Sequence, residues 1–232
     1  MGKSCDKMLP CGHHCCGFRG EEECLPCLHE DCVEKDPQLT LSDDASSYCV
    51  ICYVSGLGEA PCVQLDCKHV IHLDCLISRL EKKHAGPRLT FLFATCCTCK
   101  AKVSAPHNKV VTEIMEQVNE LEQKILTKAL ERAKHEGIHK DKRLEDPNDD
   151  YYQNLEKYAM ARLSYYMCHK CKDPYFGGLK ECGNMAEAER EYKPEELVCG
   201  KCCSNQFGGV KKCPMHGTDY IEFKCRYCCS VA

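Results

Sequence analysis

Residues 49–75 read CVICYVSGLGEAPCVQLDCKHVIHLDC, and CCTC follows at residues 96–99. In these stretches eight metal-ligating side chains form four close pairs: Cys49, Cys52, Cys67, His69, His72, Cys75, Cys96 and Cys99. A structural zinc ion takes four Cys or His ligands in a tetrahedron, so eight donors make two complete sites. Cys62 and Cys97 lie outside the pattern and are expected to be packing thiols. The stretch therefore predicts two zinc ions that organise this part of the fold.

Cysteine is abundant in the whole chain, which has 25 Cys and 11 His among 232 residues. Such a chain is either secreted and held by disulfides, or intracellular and held by zinc. The N-terminal residues MGKSCDKMLP lack the apolar stretch of a secretory signal, and no apolar run could span a bilayer. We therefore expect a cytoplasmic zinc protein with no membrane contact. Each structural zinc would supply on the order of 10–16 kcal/mol of folding energy.

The net charge argues against a nucleic-acid-binding protein. The chain carries 31 basic and 35 acidic residues, a net charge of −4, and its predicted pI is near 6.3. Nucleic-acid-binding domains normally have a basic surplus. Protein partners are therefore expected, although the overall charge does not exclude a local basic patch.

The distribution of cysteines and charges divides the chain into five segments. They are a Cys- and His-dense segment (1–36), an acidic linker (37–47), the paired ligands (48–104), a stretch that lacks metal-ligand pairs (105–167) and a second Cys-rich region (168–232). Small zinc-stabilised α+β modules, joined by a helical linker and ending in an irregular zinc-binding domain, are the expected fold class.

The segment between the two Cys-rich regions has a helical pattern. Apolar residues recur at three- and four-residue steps from Val110 to Leu130, which predicts an amphipathic helix that ends shortly before Gly137. A second helix is predicted after Pro147, continuing through Tyr166. Two interpretations stay open: the helices simply pack together as a spacer, or they hold the zinc modules at a fixed distance.

The eight-donor pattern resembles that of RING domains. In that family the first and third pairs bind one zinc and the second and fourth pairs bind the other, in a cross-brace. The resemblance implies a surface for a ubiquitin-charged conjugating enzyme, formed here by Val50, Ile51, Leu76 and Lys100. The proline that usually follows the seventh ligand is replaced by Cys97–Thr98. The basic residue after the last ligand is Lys100, where arginine is commoner and would offer a fork of donors.

The N-terminal segment resembles NFX-type zinc fingers in residues 9–15 (LPCGHHC) and 24–29 (CLPCLH). Ten donors are present, and two zinc sites need eight. The favoured set is Cys5, Cys11, His13, Cys15, Cys24, Cys27, His29 and Cys32. Fingers of this type can contact nucleic acid, but the acidic residues 21–23 favour a structural or partner-binding role.

The C-terminal region contains another eight paired donors, which raises the expected total to about six zinc ions. They are Cys168, Cys171, Cys199, Cys202, Cys213, His216, Cys225 and Cys228. Cys182 has no CxxC partner and lies in a Gly-rich stretch near Lys180. It is either a nucleophile or a spare thiol or zinc ligand.

Three motifs resemble the C-terminal ligase region of the Pam/Highwire family of ubiquitin ligases: YYMCHKC (165–171), YFGG (175–178) and CRYCCSVA (225–232). The resemblance implies that Cys182 accepts ubiquitin as a thioester, which a second cysteine then passes to Thr or Ser hydroxyls. Glu196 would act in proton transfer, or is a solvated surface acid. In the family the second cysteine follows CRYCCSVA, so we expect a fragment that lacks it. Axonal or nuclear location is a family-based alternative.

Two other functions remain as alternatives. A conventional RING ligase would send ubiquitin directly from the conjugating enzyme to lysine, with Cys182 inert. A non-catalytic zinc scaffold would bind partners, or nucleic acid through residues 1–36, without ubiquitin chemistry.

Overall fold

The computed structural model describes residues 4–83, 86–179 and 193–204. They form two compact units, and the division between the units falls within one helix, between residues 119 and 120. Residues 4–83 and 91–119 belong to the first unit, and the other described residues belong to the second. Short helices and strands surround clusters of Cys and His in both units. The predicted class of small α+β modules is therefore confirmed.

The first unit contains little regular structure. Its elements are helix α1 (Glu30–Lys35), strands β1 (Cys62–Gln64) and β2 (Val70–His72), helix α2 (Leu73–Lys82) and the first part of helix α3 (Lys109–His135). β1 and β2 pair antiparallel, with Cys62 opposite His72 and Gln64 opposite Val70. Three-residue strands and a ten-residue helix bury too little apolar surface for a large core, so other interactions must hold this unit together.

One apolar core is shared by the N-terminal segment and the RING-like segment. Leu25 and Leu28 are buried in the same cluster as Leu57 and Leu80. The backbone amide of Cys62 also donates to the carbonyl of Cys16 at 2.8 Å, which joins the N-terminal segment to β1. Residues 4–36 therefore pack directly against residues 48–83 and 91–104. The five segment boundaries remain predictions.

Helix α3 confirms the first predicted helix at both ends. Asn108 caps its start, since its Oδ1 accepts from the amide of Val111 at 3.1 Å. Gly137 follows its end with a left-handed φ of +73°, as expected of a C-terminal glycine. Its buried apolar residues are Val111, Met115, Val118, Ile125, Ala129 and Ala133. No helix in the described ranges combines the length and the apolar character that crossing a bilayer requires.

The second unit is built on a two-stranded hairpin. Its elements are the rest of α3, helix α4 (Leu155–Arg162), strands β3 (Leu163–Met167) and β4 (Pro174–Leu179), and helix α5 (Gly200–Ser204). β3 and β4 pair antiparallel, with Tyr166 opposite Tyr175. The amide of Leu89 donates to the carbonyl of Tyr165 at 2.8 Å, so residues 86–90 flank β3.

The second predicted helix is too long. Helix α4 begins only after Asn154, whose side chain accepts from the amide of Lys157 at 2.9 Å, and it ends at Arg162. The next four residues, 163–166, are all buried and form a strand. Aromatic side chains favour a half-buried pleated surface, and here the pairing with β4 overrides the helical continuation.

The YFGG motif is explained by the geometry of the hairpin. A Cβ atom on Gly177 would lie well inside van der Waals distance of the Tyr166 ring, so only glycine fits there. Gly178 has a φ of +120°, a conformation that other residues rarely adopt. Phe176, in the same motif, stacks against the buried Arg132 guanidinium, whose Cζ lies 4.3 Å from the centre of the Phe176 ring. The motif therefore closes the hairpin around the Tyr166 ring.

Gly177→Ala should destabilise the second unit by about 1–3 kcal/mol, because the added methyl group overpacks the Tyr166 ring. Gly137→Ala is the matched control: it has open space around it, and its left-handed φ costs about 1 kcal/mol. Urea unfolding of the zinc-loaded protein measures both. Hydrogen exchange of the β3 and β4 amides should speed up more in Gly177→Ala than in Gly137→Ala; equal exchange in the two variants would contradict the role of the Tyr166 ring.

Candidate metal centres

The structure gathers the metal-ligating side chains into five clusters among the described residues. In each cluster the donor atoms all lie within 4.8 Å of one another. The clusters are Cys49, Cys52, His72 and Cys75; Cys67, His69, Cys96 and Cys99; Cys11, His13, Cys27 and Cys32; Cys168, Cys171, Cys199 and Cys202; and Cys5, Cys15 and Cys24. The cysteines of these clusters are all free thiols, so none of them forms a disulfide. Four clusters therefore offer a complete tetrahedral donor set.

The donor distances fit zinc. A tetrahedral zinc with ordinary bond lengths separates two sulfurs by about 3.8 Å and a sulfur from an imidazole nitrogen by about 3.6 Å. Sγ of Cys171 lies 3.7 Å from Sγ of Cys199. His72 Nδ1 lies 3.7 Å from Sγ of Cys52, and His13 Nδ1 lies 3.6 Å from Sγ of Cys27. These side chains already have the spacing that one ion would impose.

The two clusters of the RING-like segment are interleaved. The first pair, at residues 49 and 52, shares a cluster with the third pair, at 72 and 75. The second pair, at 67 and 69, shares a cluster with the fourth pair, at 96 and 99. The structure thus brings together the eight predicted ligands in the cross-brace arrangement that the resemblance to RING domains implies.

The CxxC pairs share one backbone geometry. In three of them the residue after the second cysteine has a left-handed φ, between +53° and +64°, and its amide donates to the carbonyl of the first cysteine. The three bonds join Tyr53 to Cys49 at 2.9 Å, Lys100 to Cys96 at 3.1 Å and Lys172 to Cys168 at 2.9 Å. This tight turn aims both sulfurs at one point, and it explains why two intervening residues recur in metal-binding pairs.

His72 would bind a metal through Nδ1 in this arrangement. Its Nε2 lies 2.9 Å from the carbonyl oxygen of Gly56, so Nε2 holds the proton and donates to that carbonyl. The other nitrogen then faces the sulfurs of Cys52 and Cys75 with its lone pair. Because the ring is only 3% exposed, the tautomer and the orientation are fixed before the metal binds.

Burial and hydrogen bonding shift the pKa values of two thiols in one cluster in opposite directions. Backbone amides of Val54 and Ser55 donate to Cys52 and lower its pKa to about 6. Burial raises the pKa of Cys75, in the same cluster, to about 12. Without a cation Cys75 would therefore stay neutral at pH 7, whereas a bound metal ion favours the thiolate form of both. The cluster is suited to a cation.

The N-terminal segment forms one four-donor and one three-donor cluster, with seven of its eight predicted ligands. His29 belongs to neither cluster, and its role as a ligand stays a prediction. Its ring stacks on that of His13 at 3.9 Å and 3°, and its Nδ1 lies 3.5 Å from a carboxylate oxygen of Asp31. The backbone amide of His29 donates to Sγ of Cys27, so His29 contacts the four-donor cluster through its main chain.

Half of the predicted C-terminal ligands lie in the described residues. Cys168, Cys171, Cys199 and Cys202 form one cluster, and the amide of Cys199 donates to Sγ of Cys168 at 3.3 Å. The other four predicted ligands, Cys213, His216, Cys225 and Cys228, lie outside the described residues, and so does Cys182. Glu196 is exposed, in a 3₁₀ turn (Pro194–Glu196) three residues before Cys199.

The residues predicted to contact a partner have different environments. Val50 and Ile51 are half-buried in the turn between two ligands, and Lys100 is exposed. Leu76 is only 1% exposed, and its role as a contact residue stays a prediction. It lies on the inner face of α2 with Leu73 and Leu80, a spacing of three and four residues that the sequence already contained.

Sequence reasoning missed several exposed apolar residues around the RING-like clusters. Tyr53, Val54 and Leu92 are between 73% and 80% exposed. Tyr53 and Val54 follow the second zinc ligand directly, so their position beside a ligand pair was the available signal.

Off the ligand pattern, Cys62 is fully buried, and its thiol donates to the carbonyl of Leu57 at 3.0 Å. Cys62 is a packing thiol, as predicted.

Cys75→Ser should remove one zinc ion and destabilise the first unit, because serine is a poor zinc ligand and leaves three donors. The loss should reach several kcal/mol, since metal binding is on the order of 10–16 kcal/mol of folding energy. Native mass spectrometry counts the ions. Cys62→Ser is the matched control and should keep the full number; a lost ion in this control, or none lost in Cys75→Ser, would contradict the assignment.

Two curated proteins are similar to this chain over 99% of its length. The E3 ubiquitin-protein ligase highwire of Drosophila melanogaster is 43% identical over 236 residues. The E3 ubiquitin-protein ligase MYCBP2 of Danio rerio is 42% identical over 230 residues. The chain spans only 4–5% of the length of these relatives.

A comparison with models of protein families gave no match. The similarity to the two relatives nevertheless goes beyond the three motifs and covers almost every part of the chain, at an identity of 42–43%. The resemblance predicted from the motifs is confirmed. Over its own length, the chain therefore belongs to the Pam/Highwire family of ubiquitin ligases.

Proposed function

We propose that this chain is a ubiquitin-transferring unit that uses its RING-like segment to dock a conjugating enzyme charged with ubiquitin. The observation that supports this proposal is the interleaving of two complete donor sets between Cys49 and Cys99. Two similar proteins are E3 ubiquitin-protein ligases, which supports the same chemistry for this segment. About six structural zinc ions would maintain the fold. The proposed location of the protein is the cytoplasm.

The docking surface is formed by residues that the metal clusters hold in place. Val50 and Ile51 lie inside the first CxxC turn, and Lys100 directly follows the last ligand. The exposed side chain of Leu92 lies four residues before Cys96 and adds apolar surface. A conjugating enzyme would bury this apolar surface, while the Lys100 charge would lie at the rim, where it affects association rate more than affinity.

Cys182 is the proposed acceptor of ubiquitin. Its thiolate attacks the carbonyl carbon of the thioester; a new bond forms between that carbon and Cys182 Sγ, and the conjugating enzyme's sulfur leaves and takes up a proton. Described elements hold the chain on both sides. β4 pairs with β3 up to Leu179, and the amide of His169 donates to the carbonyl of Leu197 at 2.7 Å.

Glu196 is proposed to act in proton transfer during ubiquitin transfer. Its exposure leaves the carboxylate accessible to a substrate, and the nearby ligand Cys199 ties its turn to a metal cluster. In the longer family members, a second cysteine would pass ubiquitin from Cys182 to Thr or Ser hydroxyls of protein substrates. The alternative, a conventional RING ligase, is supported by the two complete donor sets between Cys49 and Cys99, because that mechanism needs no Cys182.

Incubation of the zinc-loaded chain with a ubiquitin-charged conjugating enzyme should give a ubiquitin adduct that thiol reductants remove. Cys182→Ala should abolish the adduct, because the acceptor sulfur is gone, whereas Cys62→Ser should keep it. Non-reducing gel electrophoresis detects the adduct.

An undiminished adduct in Cys182→Ala would contradict the relay. If Cys182→Ala instead supports full discharge of the conjugating enzyme to free lysine, and the wild type forms no adduct, the conventional RING mechanism is the correct one.

A further inference from the structure

Arg79, on α2, uses its whole guanidinium to hold one loop of the first unit. Its Nε donates to the carbonyl of Phe93 at 3.0 Å, and its Nη2 donates to the carbonyl of Leu92 at 3.0 Å. Its Nη1 contacts Sγ of Cys97. Three points between residues 92 and 97 are therefore fixed to one side chain of a helix.

The loop that Arg79 holds leads into the fourth ligand pair. A 3₁₀ turn (Leu92–Ala94) precedes Cys96, and the exposed Leu92 side chain projects from it. Cys97 is also held from the other side, since Nζ of Lys100 donates to its carbonyl at 2.6 Å. Two cationic side chains thus fasten the residue that stands between the last two ligands.

Cys97 occupies the position where RING domains usually have proline. A proline ring fixes φ near −65° and so restricts the backbone by a covalent bond. Cysteine imposes no such restriction, and the loop needs another constraint to keep one conformation. The guanidinium supplies it from outside the loop, through planar donors in a rigid fork.

We infer that Arg79 is a positioning residue for the docking surface formed by Leu92 and residues 96–99. This inference rests on the proposed docking of a conjugating enzyme. A loop held before the encounter loses less conformational entropy when the partner binds, so Arg79 contributes to affinity without touching the partner. In a purely structural role, by contrast, its loss would remove zinc or unfold the unit.

Binding and loop order together test the inference. The zinc-loaded wild type is compared with Arg79→Met, Cys97→Pro and the double variant. The matched control is Lys82→Met, which removes one exposed cation from the same helix. The probe is one recombinant ubiquitin-conjugating enzyme, selected because the wild-type chain stimulates its discharge. Calorimetry gives Kd, single-turnover assays give the saturated discharge rate, and hydrogen exchange reports on residues 92–98.

Arg79→Met should keep every zinc ion, speed up hydrogen exchange at residues 92–98 and weaken Kd by about five- to twentyfold. Its saturated discharge rate should stay within about twofold of wild type, because Arg79 affects the binding of the conjugating enzyme and not the transfer step. Proline at position 97 should restore most of the lost affinity in the double variant. Lys82→Met should leave all three readouts unchanged.

Wild-type affinity in Arg79→Met, a lost zinc ion in that variant, or a double variant no better than Arg79→Met would each overturn the inference. If the wild type binds no conjugating enzyme, the proposed function and the docking role both fail. In that case, faster exchange at residues 92–98 in Arg79→Met would show that the arginine still orders the loop, so the two failures are distinguishable.

Discussion

Four donors from two remote ligand pairs must meet at one point, and the first unit depends on that requirement. The cluster of Cys49, Cys52, His72 and Cys75 joins residues about twenty positions apart, and the cluster of Cys67, His69, Cys96 and Cys99 crosses it in sequence. Each ion therefore closes a loop that contains ligands of the other. Because strands of three residues bury little apolar area, metal ions bound at these clusters would supply the order that a larger core would otherwise provide.

Ligand pairs and clusters hold several of the proposed functional residues that lie in the described part of the chain. Val50 and Ile51 are held because they lie within a CxxC turn, and Glu196 is held because Cys199 follows closely. The second unit contains one four-cysteine cluster and an aromatic hairpin. In the hairpin, the Tyr166 ring fills the space left by Gly177. Metal geometry and a few tightly packed rings therefore position side chains that carry no metal themselves.

The ligand pairs could be predicted from the sequence because a tight turn forces the two-residue spacing that makes them visible. Helix α3 could be predicted because its apolar period and Gly137 are local signals. His29 could not be separated from the clustered donors, since its spacing is equally suitable and only the structure shows its ring stacked on that of His13. The strand at residues 163–167 depends on pairing with β4, and the contacts of Arg79 depend on carbonyls thirteen and fourteen residues away. Such non-local interactions leave no pattern in a single sequence.

A crystal structure with anomalous diffraction at the zinc edge tests the central claim most directly. The account predicts one zinc ion in each four-donor cluster, with zinc–sulfur distances of about 2.3 Å and His72 bound through Nδ1. Ions that join neighbouring pairs, such as Cys49 and Cys52 with Cys67 and His69, would contradict the cross-brace. So would disulfides in place of the ions.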